Sequence, residues 1–385
     1  MPILPRIAAY TEELVAIRRD IHAHPEIGFE EERTSELVSN KLSSWGIEVH
    51  RGIGRTGVVG VLQGQPGSRR IALRADMDAL PMQEQTGLSF CSQHPGRFHG
   101  CGHDGHTTML LGAARYLAET RRFKGTAVFV FQPAEEGLGG ARAMIADGLF
   151  EHFACDEIYA MHNTPDLPQG SVAVGPGPAM AGADFFDVTI TGRGSHGAMP
   201  HQSVDPLVVA NAFFQAAQTI VSRNVDPLKA AVLSITRMGG GSAYNVIPGD
   251  AHLGGTIRAF DDEVRSLVRD RLRALGAGLA VSFDARVEID IRDIFTVLVN
   301  RDEQARAMAE IAGEIVGSEN VSGAPYPLMG SEDFADMLKV VPGAYAWIGM
   351  ADGPALHHPK FVFDDAILPV GASLLARLVE RRTAV

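Results

Sequence analysis

Short apolar runs recur along this chain of 385 residues, and helical segments separate most of them. The runs predict strands at residues 57–62, 71–75, 126–131, 157–161 and 344–349. Strands that alternate with helices indicate an α/β fold, with a mostly parallel, doubly wound sheet covered by helices on both faces. In open sheets of this kind, ligands bind beyond the carboxyl ends of the strands. Polar residues that directly follow the runs are therefore expected to lie together.

Two helices of this first pattern can be placed from apolar spacing. Residues 7–29 carry Leu14, Ile17 and Ile21 at helical intervals, and residues 107–119 carry a second such stripe. His22 and His24 lie near the end of the first helix, and we interpret both as structural.

A different pattern occupies residues 183–294, which we interpret as an inserted α+β domain. It contains predicted strands at 183–190, 230–237, 251–259 and 281–291, and predicted helices at 205–222 and 261–279. Strict alternation of apolar and polar residues over 281–291 indicates an antiparallel sheet with one wet face. The order β-α-β-β-α-β is that of a ferredoxin-like unit. A helix at 301–316 resumes the first pattern, so the α/β domain is predicted to be discontinuous, at 1–182 and 295–385.

Polar clusters accompany the runs of the α/β domain. They are Asp76-Met77-Asp78, Cys101-Gly102-His103, Glu135-Glu136, His162 and His357-His358. Any one of them has an ordinary interpretation, such as a buried cysteine, a loop histidine or a solvated carboxylate pair. Gathered at one sheet edge, they provide thiolate, imidazole and carboxylate donors, which suit Zn, Mn, Co or Ni. We therefore predict a hydrolase with a two-metal centre.

Composition limits the partners and the compartment. A formal net charge of −12 argues against a surface for nucleic acid or anionic membranes, since both require clustered Lys and Arg. Three cysteines, Cys91, Cys101 and Cys155, give no disulfide framework. We find no secretory signal pattern at the N-terminus and no apolar run near the roughly 20 residues that span a bilayer. The expectation is a soluble, cytoplasmic protein.

Several segments resemble the M20 metallopeptidase family, within it the aminoacylases, hippurate hydrolases and auxin-conjugate amidohydrolases. They are 74–81 (RADMDALP), 100–106 (GCGHDGH), 131–137 (FQPAEEG), 195–206 (SHGAMPHQSVDP), 245–248 (NVIP), 255–258 (GTIR), 330–334 (GSEDF) and 357–361 (HHPKF). They cover nearly the whole chain in the order of the family. The resemblance implies a metal-binding α/β domain interrupted by a ferredoxin-like lid that dimerises, giving a homodimer or a tetramer.

The resemblance also implies roles for individual residues. Two divalent metal ions per subunit would be bound by Cys101, His103, Glu136, His162 and His357. Glu135 would be the general base and Asp78 a supporting carboxylate. Asn245 and Arg258 would bind the substrate carboxylate, and His196 would reach the active site of the neighbouring subunit. Because His358 directly follows His357, the choice between these two histidines remains open.

The predicted reaction is hydrolysis of an N-acyl amino acid to a carboxylate and a free amino acid. One alternative is a dipeptidase or carboxypeptidase on the same scaffold, which would differ in the pocket for the acyl group. The other is a metal-dependent binding protein for acyl amino acids, which would have no need of Glu135.

Overall fold

The computed structural model describes residues 3–323 and 327–384. The helices are α1 (Pro5–Ala8), α2 (Thr11–Ala23), α3 (Glu32–Ser44), α4 (His103–Thr120), α5 (Gly140–Ala146), α6 (Leu149–His152), α7 (Pro206–Asn224), α8 (Asp262–Phe283), α9 (Asp302–Val316), α10 (Phe334–Val340) and α11 (Leu368–Arg382). The strands are β1 (Glu48–Ile53), β2 (Gly57–Gln63), β3 (Gln65–Asp76), β4 (Lys124–Gln132), β5 (Glu157–Thr164), β6 (Val172–Ala173), β7 (Gly177–Met180), β8 (Gly182–Thr191), β9 (Ser195–His196), β10 (Ala231–Gly239), β11 (Val246–Ile247), β12 (Asp250–Ala259), β13 (Arg286–Phe295), β14 (Leu298–Asn300), β15 (Val321–Ser322) and β16 (Gly343–Gly349).

The chain divides into two compact units. Unit 1 comprises Met1–Ala179, Val299–Tyr326 and Asp333–Val385, and unit 2 comprises Met180–Leu298 and Pro327–Glu332. Each unit has its own hydrophobic core.

The sheet of unit 1 has the strand order β1-β2-β4-β3-β5-β16-β6-β15. Its central strands β4, β3, β5 and β16 are parallel to one another, whereas β1, β2 and β6 introduce antiparallel pairs. Strands β5 and β16 are buried along their whole length, because helices cover central parallel strands on both faces. The predicted α/β class is confirmed, and the four parallel strands bring their carboxyl ends to one edge.

The predicted helix at 7–29 is wrong in its bounds. The segment forms α1 and α2 instead, and α2 ends at Ala23. Pro25 explains this end, because a proline disfavours helical backbone angles in the residue before it. His24 accordingly has φ −125° and ψ 59°.

Unit 2 contains an antiparallel sheet of order β10-β12-β8-β13, which is the ferredoxin-like arrangement. Helices α7 and α8 pack on it and supply much of its core. The predicted strand at 281–291 starts too early, because residues 281–283 are the last turn of α8. Asp284 then takes a left-handed conformation with φ 52°, and β13 begins at Arg286. The alternation of apolar and polar residues therefore corresponds to a strand only from Arg286 onward.

Within residues 3–323 and 327–384, we find no helix whose length and apolar character would suffice to cross a membrane.

Candidate metal centre

The first donors come from the turn that begins α4. Gly102 has φ 96°, a left-handed conformation that glycine adopts without strain. A Cβ atom at this position would lie 2.2 Å from Oδ1 of Asn163. Only glycine allows the turn to lie this close to β5 while Cys101 and His103 flank it.

All five predicted metal ligands form one group, which we call the donor cluster: Cys101, His103, Glu136, His162 and His357. Cys101 Sγ lies 3.3 Å from His162 Nε2 and 3.3 Å from His357 Nε2. Glu136 Oε1 lies 3.3 Å from His357 Nε2 and 3.9 Å from His103 Nε2. Overlapping sets of three of these residues place one donor atom each within 4.8 Å of one another. That spacing is compatible with ligands that share metal ions.

Two atoms of the donor cluster fit a cation especially well. His103 Nε2 and Glu136 Oε1 are both buried, and among the residues that the structure describes their nearest polar neighbours, such as His357 Nε2 at 3.3 Å from Oε1, do not form a well-aligned hydrogen bond. A buried polar atom without a partner is costly in free energy. A bound divalent ion would satisfy both atoms, and the mixed sulfur, nitrogen and oxygen donors are of the kind that transition metals accept.

The tautomers of two histidines are set from outside the donor cluster. His103 Nδ1 donates to the backbone carbonyl of Asp78 at 2.9 Å and lies 3.3 Å from its carboxylate. His162 Nδ1 donates to the carbonyl of Asn163 at 2.7 Å. Because a carbonyl only accepts, Nδ1 of each ring donates, which leaves Nε2 as the ring nitrogen that can bind a metal ion inside the cluster. Such orienting partners are typical of metal-binding histidines.

Burial and neighbouring charges shift the pKa values within the donor cluster. Burial raises the pKa of the Cys101 thiol, and the Glu136 carboxylate adds to the effect. Burial lowers the pKa of His162 well below its usual value, and His106 lowers it further. For His103 burial acts in the same direction, but Asp76 and Cys101 outweigh it, and the pKa lies well above its usual value.

The two glutamates occupy the loop after β4. Glu135 belongs to a group with His103 and Glu136 whose oxygen and nitrogen atoms lie within 4.8 Å of one another. Its side chain is buried, and its backbone carbonyl accepts from Gly137 N–H at 2.6 Å. The backbone N–H of Glu136 donates to Asp78 Oδ2 at 3.0 Å. Asp78 therefore contacts both His103 and the glutamate loop.

His357 and His358 have different surroundings. His357 takes a left-handed φ of 64° and contacts Cys101 and Glu136. Both side chains are exposed, but His358 instead accepts the N–H of Lys360 on its Nδ1 at 3.1 Å. The structure thus places His357, and not His358, in the donor cluster.

Residues 72–381 match the model of peptidase family M20/M25/M40. The chain belongs to this family. Hippurate hydrolase of Campylobacter jejuni is 42% identical over 378 residues, which cover 98% of either chain. N-acetylcysteine deacetylase of Bacillus subtilis is 38% identical over 372 residues, 96% of this chain and 97% of the relative. The solved Bacillus subtilis YXEP protein, a dinuclear metal binding peptidase of family M20, has a TM-score of 0.86 and 34% identity, covering 98% of this chain and 99% of that one.

A buried network lies next to the cluster of this M20 chain, and of its members only Asp76 was expected from the sequence. His106 Nδ1 lies 2.6 Å from Asp76 Oδ1, and His106 Nε2 lies 2.7 Å from Asn163 Oδ1. Arg74 donates to Asp76 at 2.7 Å. Asp76, His103 and His106 also form a group of potential metal donors. Because Asp76 and His106 already have hydrogen-bond partners, we interpret them as supports of the cluster; HDGH after Cys101 was the signal in the sequence.

The interpretation of His22 as structural agrees with its surroundings. The ring is buried, and Nδ1 lies 2.8 Å from Asp104 Oδ2. Burial opposes protonation, but the hydrogen bonds to Asp104 and Glu84 outweigh it and raise the pKa of His22 to about 9. Asp104 thus contacts both His22 and Arg18.

The three remaining predicted site residues belong to unit 2. His196 on β9 pairs with Val246 on β11, and Asn245 accepts from Gly197 N–H at 2.7 Å through its backbone carbonyl. His196 and Asn245 are therefore close to each other. Arg258 lies on β12, half-buried, and donates to Ser331 Oγ at 2.6 Å. Their roles toward a substrate remain predictions.

Proposed function

We propose that this protein is a metal-dependent amidohydrolase that cleaves N-acyl amino acids to a carboxylate and a free amino acid. The observation that carries the proposal is the donor cluster with Glu135 beside it. A hippurate hydrolase and an N-acetylcysteine deacetylase, similar over nearly the whole chain, support the substrate class. These names favour an amidohydrolase over the peptidase and binding-protein alternatives.

The proposed metal ligands are the residues of the donor cluster, with two divalent ions per subunit. The dinuclear metal site named for the similar YXEP structure supports this number. Mn, Zn, Co and Ni all suit these donors. When bound, such ions lower the pKa of water and polarise the carbonyl of the scissile amide.

Glu135 is the proposed general base. It lies beside the cluster without being needed to complete it, and a carboxylate there can accept the proton of the attacking water. The same group can then return the proton to the leaving nitrogen. Glu136, whose Oε1 lies 3.9 Å from His103 Nε2 and 3.3 Å from His357 Nε2, would hold a cation. Neighbouring carboxylates can thus take different tasks.

Substrate recognition is proposed for unit 2. A guanidinium such as that of Arg258 binds a carboxylate by charge-assisted hydrogen bonds. Asn245 would add a neutral contact. His196 would stabilise the developing oxyanion, reaching the neighbouring subunit in a homodimer formed through unit 2. Sedimentation tests the dimer, and an active monomer would remove the proposed role of His196 between subunits.

A substrate panel tests the proposal. The purified protein, stripped with a chelator and reloaded with Mn, Co or Zn, is assayed on hippurate, N-acetylcysteine, an indoleacetyl amino acid and a dipeptide. We expect metal-dependent turnover of the acyl amino acids with a kcat/KM well above that of the dipeptide. Preferred turnover of the dipeptide would reject the amidohydrolase, and binding of hippurate without turnover would make the protein a binder.

A further inference from the structure

The loop that carries the two glutamates begins with an unusual backbone conformation. Ala134, directly before Glu135, has φ 55°, and its side chain is fully buried. A left-handed conformation costs a residue with a Cβ roughly 1–2 kcal/mol. Surrounding contacts must hold this geometry, since an isolated chain would leave it.

A buried carboxylate from a distant part of the chain holds Ala134. Glu31 is fully buried, and its Oε1 accepts the backbone N–H of Ala134 at 2.8 Å. The other oxygen, Oε2, accepts from the hydroxyl of Thr56 at 2.5 Å. Glu31 precedes α3, but its side chain makes no capping hydrogen bond to that helix. The carboxylate therefore acts on the loop and on Thr56.

Packing fixes the loop against the same segment. A Cβ atom on Gly28 would lie 2.8 Å from Cα of Ala134, so the two backbones touch. On the other side, Gly140 N–H donates to the carbonyl of Ala134 at 3.0 Å. The peptide groups on both sides of Ala134 are thus hydrogen-bonded, and the segment at Gly28 packs closely against them.

The far end of the loop is held independently. Glu136 N–H donates to Asp78 Oδ2, as described above, and Asp78 also contacts His103. Glu135 lies between the two attachment points, Glu31 on one side and Asp78 on the other. Its backbone position is consequently set by both carboxylates.

We propose that Glu31 is a positioning residue for the general base: by binding the Ala134 amide and Thr56, it fixes the loop that aims Glu135. This inference rests on the proposed function, because it gives Glu135 its catalytic task. The hydrogen bonds that hold the Glu31 carboxylate go to Ala134 and Thr56, and neither belongs to the donor cluster. Removal of Glu31 should therefore misplace Glu135 more than it disturbs the metal ligands.

The test compares Glu31→Ala and Glu31→Gln with Glu32→Ala, a control at the neighbouring exposed carboxylate. Misplacing a catalytic group by about 1 Å can cost roughly 10²-fold in rate. For Glu31→Ala we expect kcat to fall roughly 10–100-fold, with KM and bound metal near wild type. Gln keeps an oxygen for the Ala134 amide, so Glu31→Gln should recover most of kcat. Glu32→Ala should match wild type.

Hydrogen exchange of residues 131–137, measured by mass spectrometry, gives a readout that needs no activity. We expect faster exchange in Glu31→Ala than in wild type and Glu32→Ala. If the wild type turns over no acyl amino acid, the proposed function fails while the exchange still tests the contact. If Glu31→Ala does not fold, Thr56→Val, which removes only the hydroxyl donor, replaces it. We expect Thr56→Val to lower kcat and to speed exchange of residues 131–137, with bound metal near wild type. Unchanged exchange, wild-type kcat, or loss of metal in the folded variant would each overturn the inference.

Discussion

Glu135 and Glu136 are adjacent residues whose proposed roles differ, and substitution should separate them. Glu135→Gln keeps the size of the side chain but cannot accept a proton from water, so kcat should fall roughly 10²–10⁴-fold with bound metal unchanged. Glu136→Gln removes a ligand charge, so metal should be lost and excess metal should restore part of the activity. Metal analysis by mass spectrometry beside kcat checks both. Metal loss in Glu135→Gln and retention in Glu136→Gln would reverse the assignments.

Asp78 acts, in our interpretation, by orienting His103 and the Glu136 amide. Asp78→Asn keeps the shape of the side chain but removes its charge. Loss of such an orienting carboxylate typically costs about 10–100-fold in metal affinity. We expect that loss in competition with a chelator, and a partial return of kcat at saturating metal. Wild-type affinity in this variant would show that the backbone carbonyl of Asp78 alone orients His103.

At the scale of elements, the junction before α4 determines whether Cys101 and His103 face the same space. Gly102→Ala would add a positive-φ strain of roughly 1–2 kcal/mol and a clash with Asn163. Gly46 is a matched control, because it has φ 71° and an added Cβ there would meet no atom within 4 Å. We expect Gly46→Ala to lower only stability, and Gly102→Ala to lower metal affinity as well. Thermal unfolding measures the loss of stability, and chelator competition measures the metal affinity. Equal metal affinities in Gly102→Ala and Gly46→Ala would contradict the argument.

At the scale of the whole molecule, a buried ion pair joins the central sheet to the last helix. Oε2 of Glu157 on β5 accepts a hydrogen bond from Nε of Arg382 on α11 at 2.8 Å. Burial opposes ionisation, but the Arg382 hydrogen bonds outweigh it and lower the pKa of Glu157 to about 2. Removing one partner of a buried pair typically costs about 3–5 kcal/mol. We expect Glu157→Gln to lower the free energy of unfolding by about 3 kcal/mol at pH 7.

The loss of unfolding free energy in Glu157→Gln should depend on pH in a defined direction. A carboxyl with a lowered folded pKa stabilises the protein above its ordinary pKa and loses this effect as the pH falls through the folded value. The difference between wild type and Glu157→Gln should therefore shrink as the pH falls from about 4.5 toward about 2. Glu314→Gln, which breaks the more exposed pair with Arg381, is the control and should cost at most about 1 kcal/mol. A pH-independent difference would mean that Glu157 acts through packing.

The sequence by itself determined the class of fold and the chemistry of the donors. Buried parallel strands require continuous apolar runs, and β5 and β16 are readable for that reason. Because parallel strands end at one edge, the order of elements also predicted that Cys101, Glu136 and His162 would meet.

Only the tertiary structure decided the partners that hold this cluster in place. The choice of His357 beside Cys101, the contact of His106 with Asn163, and the bond from Glu31 to Ala134 each join residues far apart in the chain. Local periodicity reports burial and helix or strand preference, but a hydrogen bond across 103 residues leaves no local pattern. Such contacts form only when the whole sheet has brought their elements together.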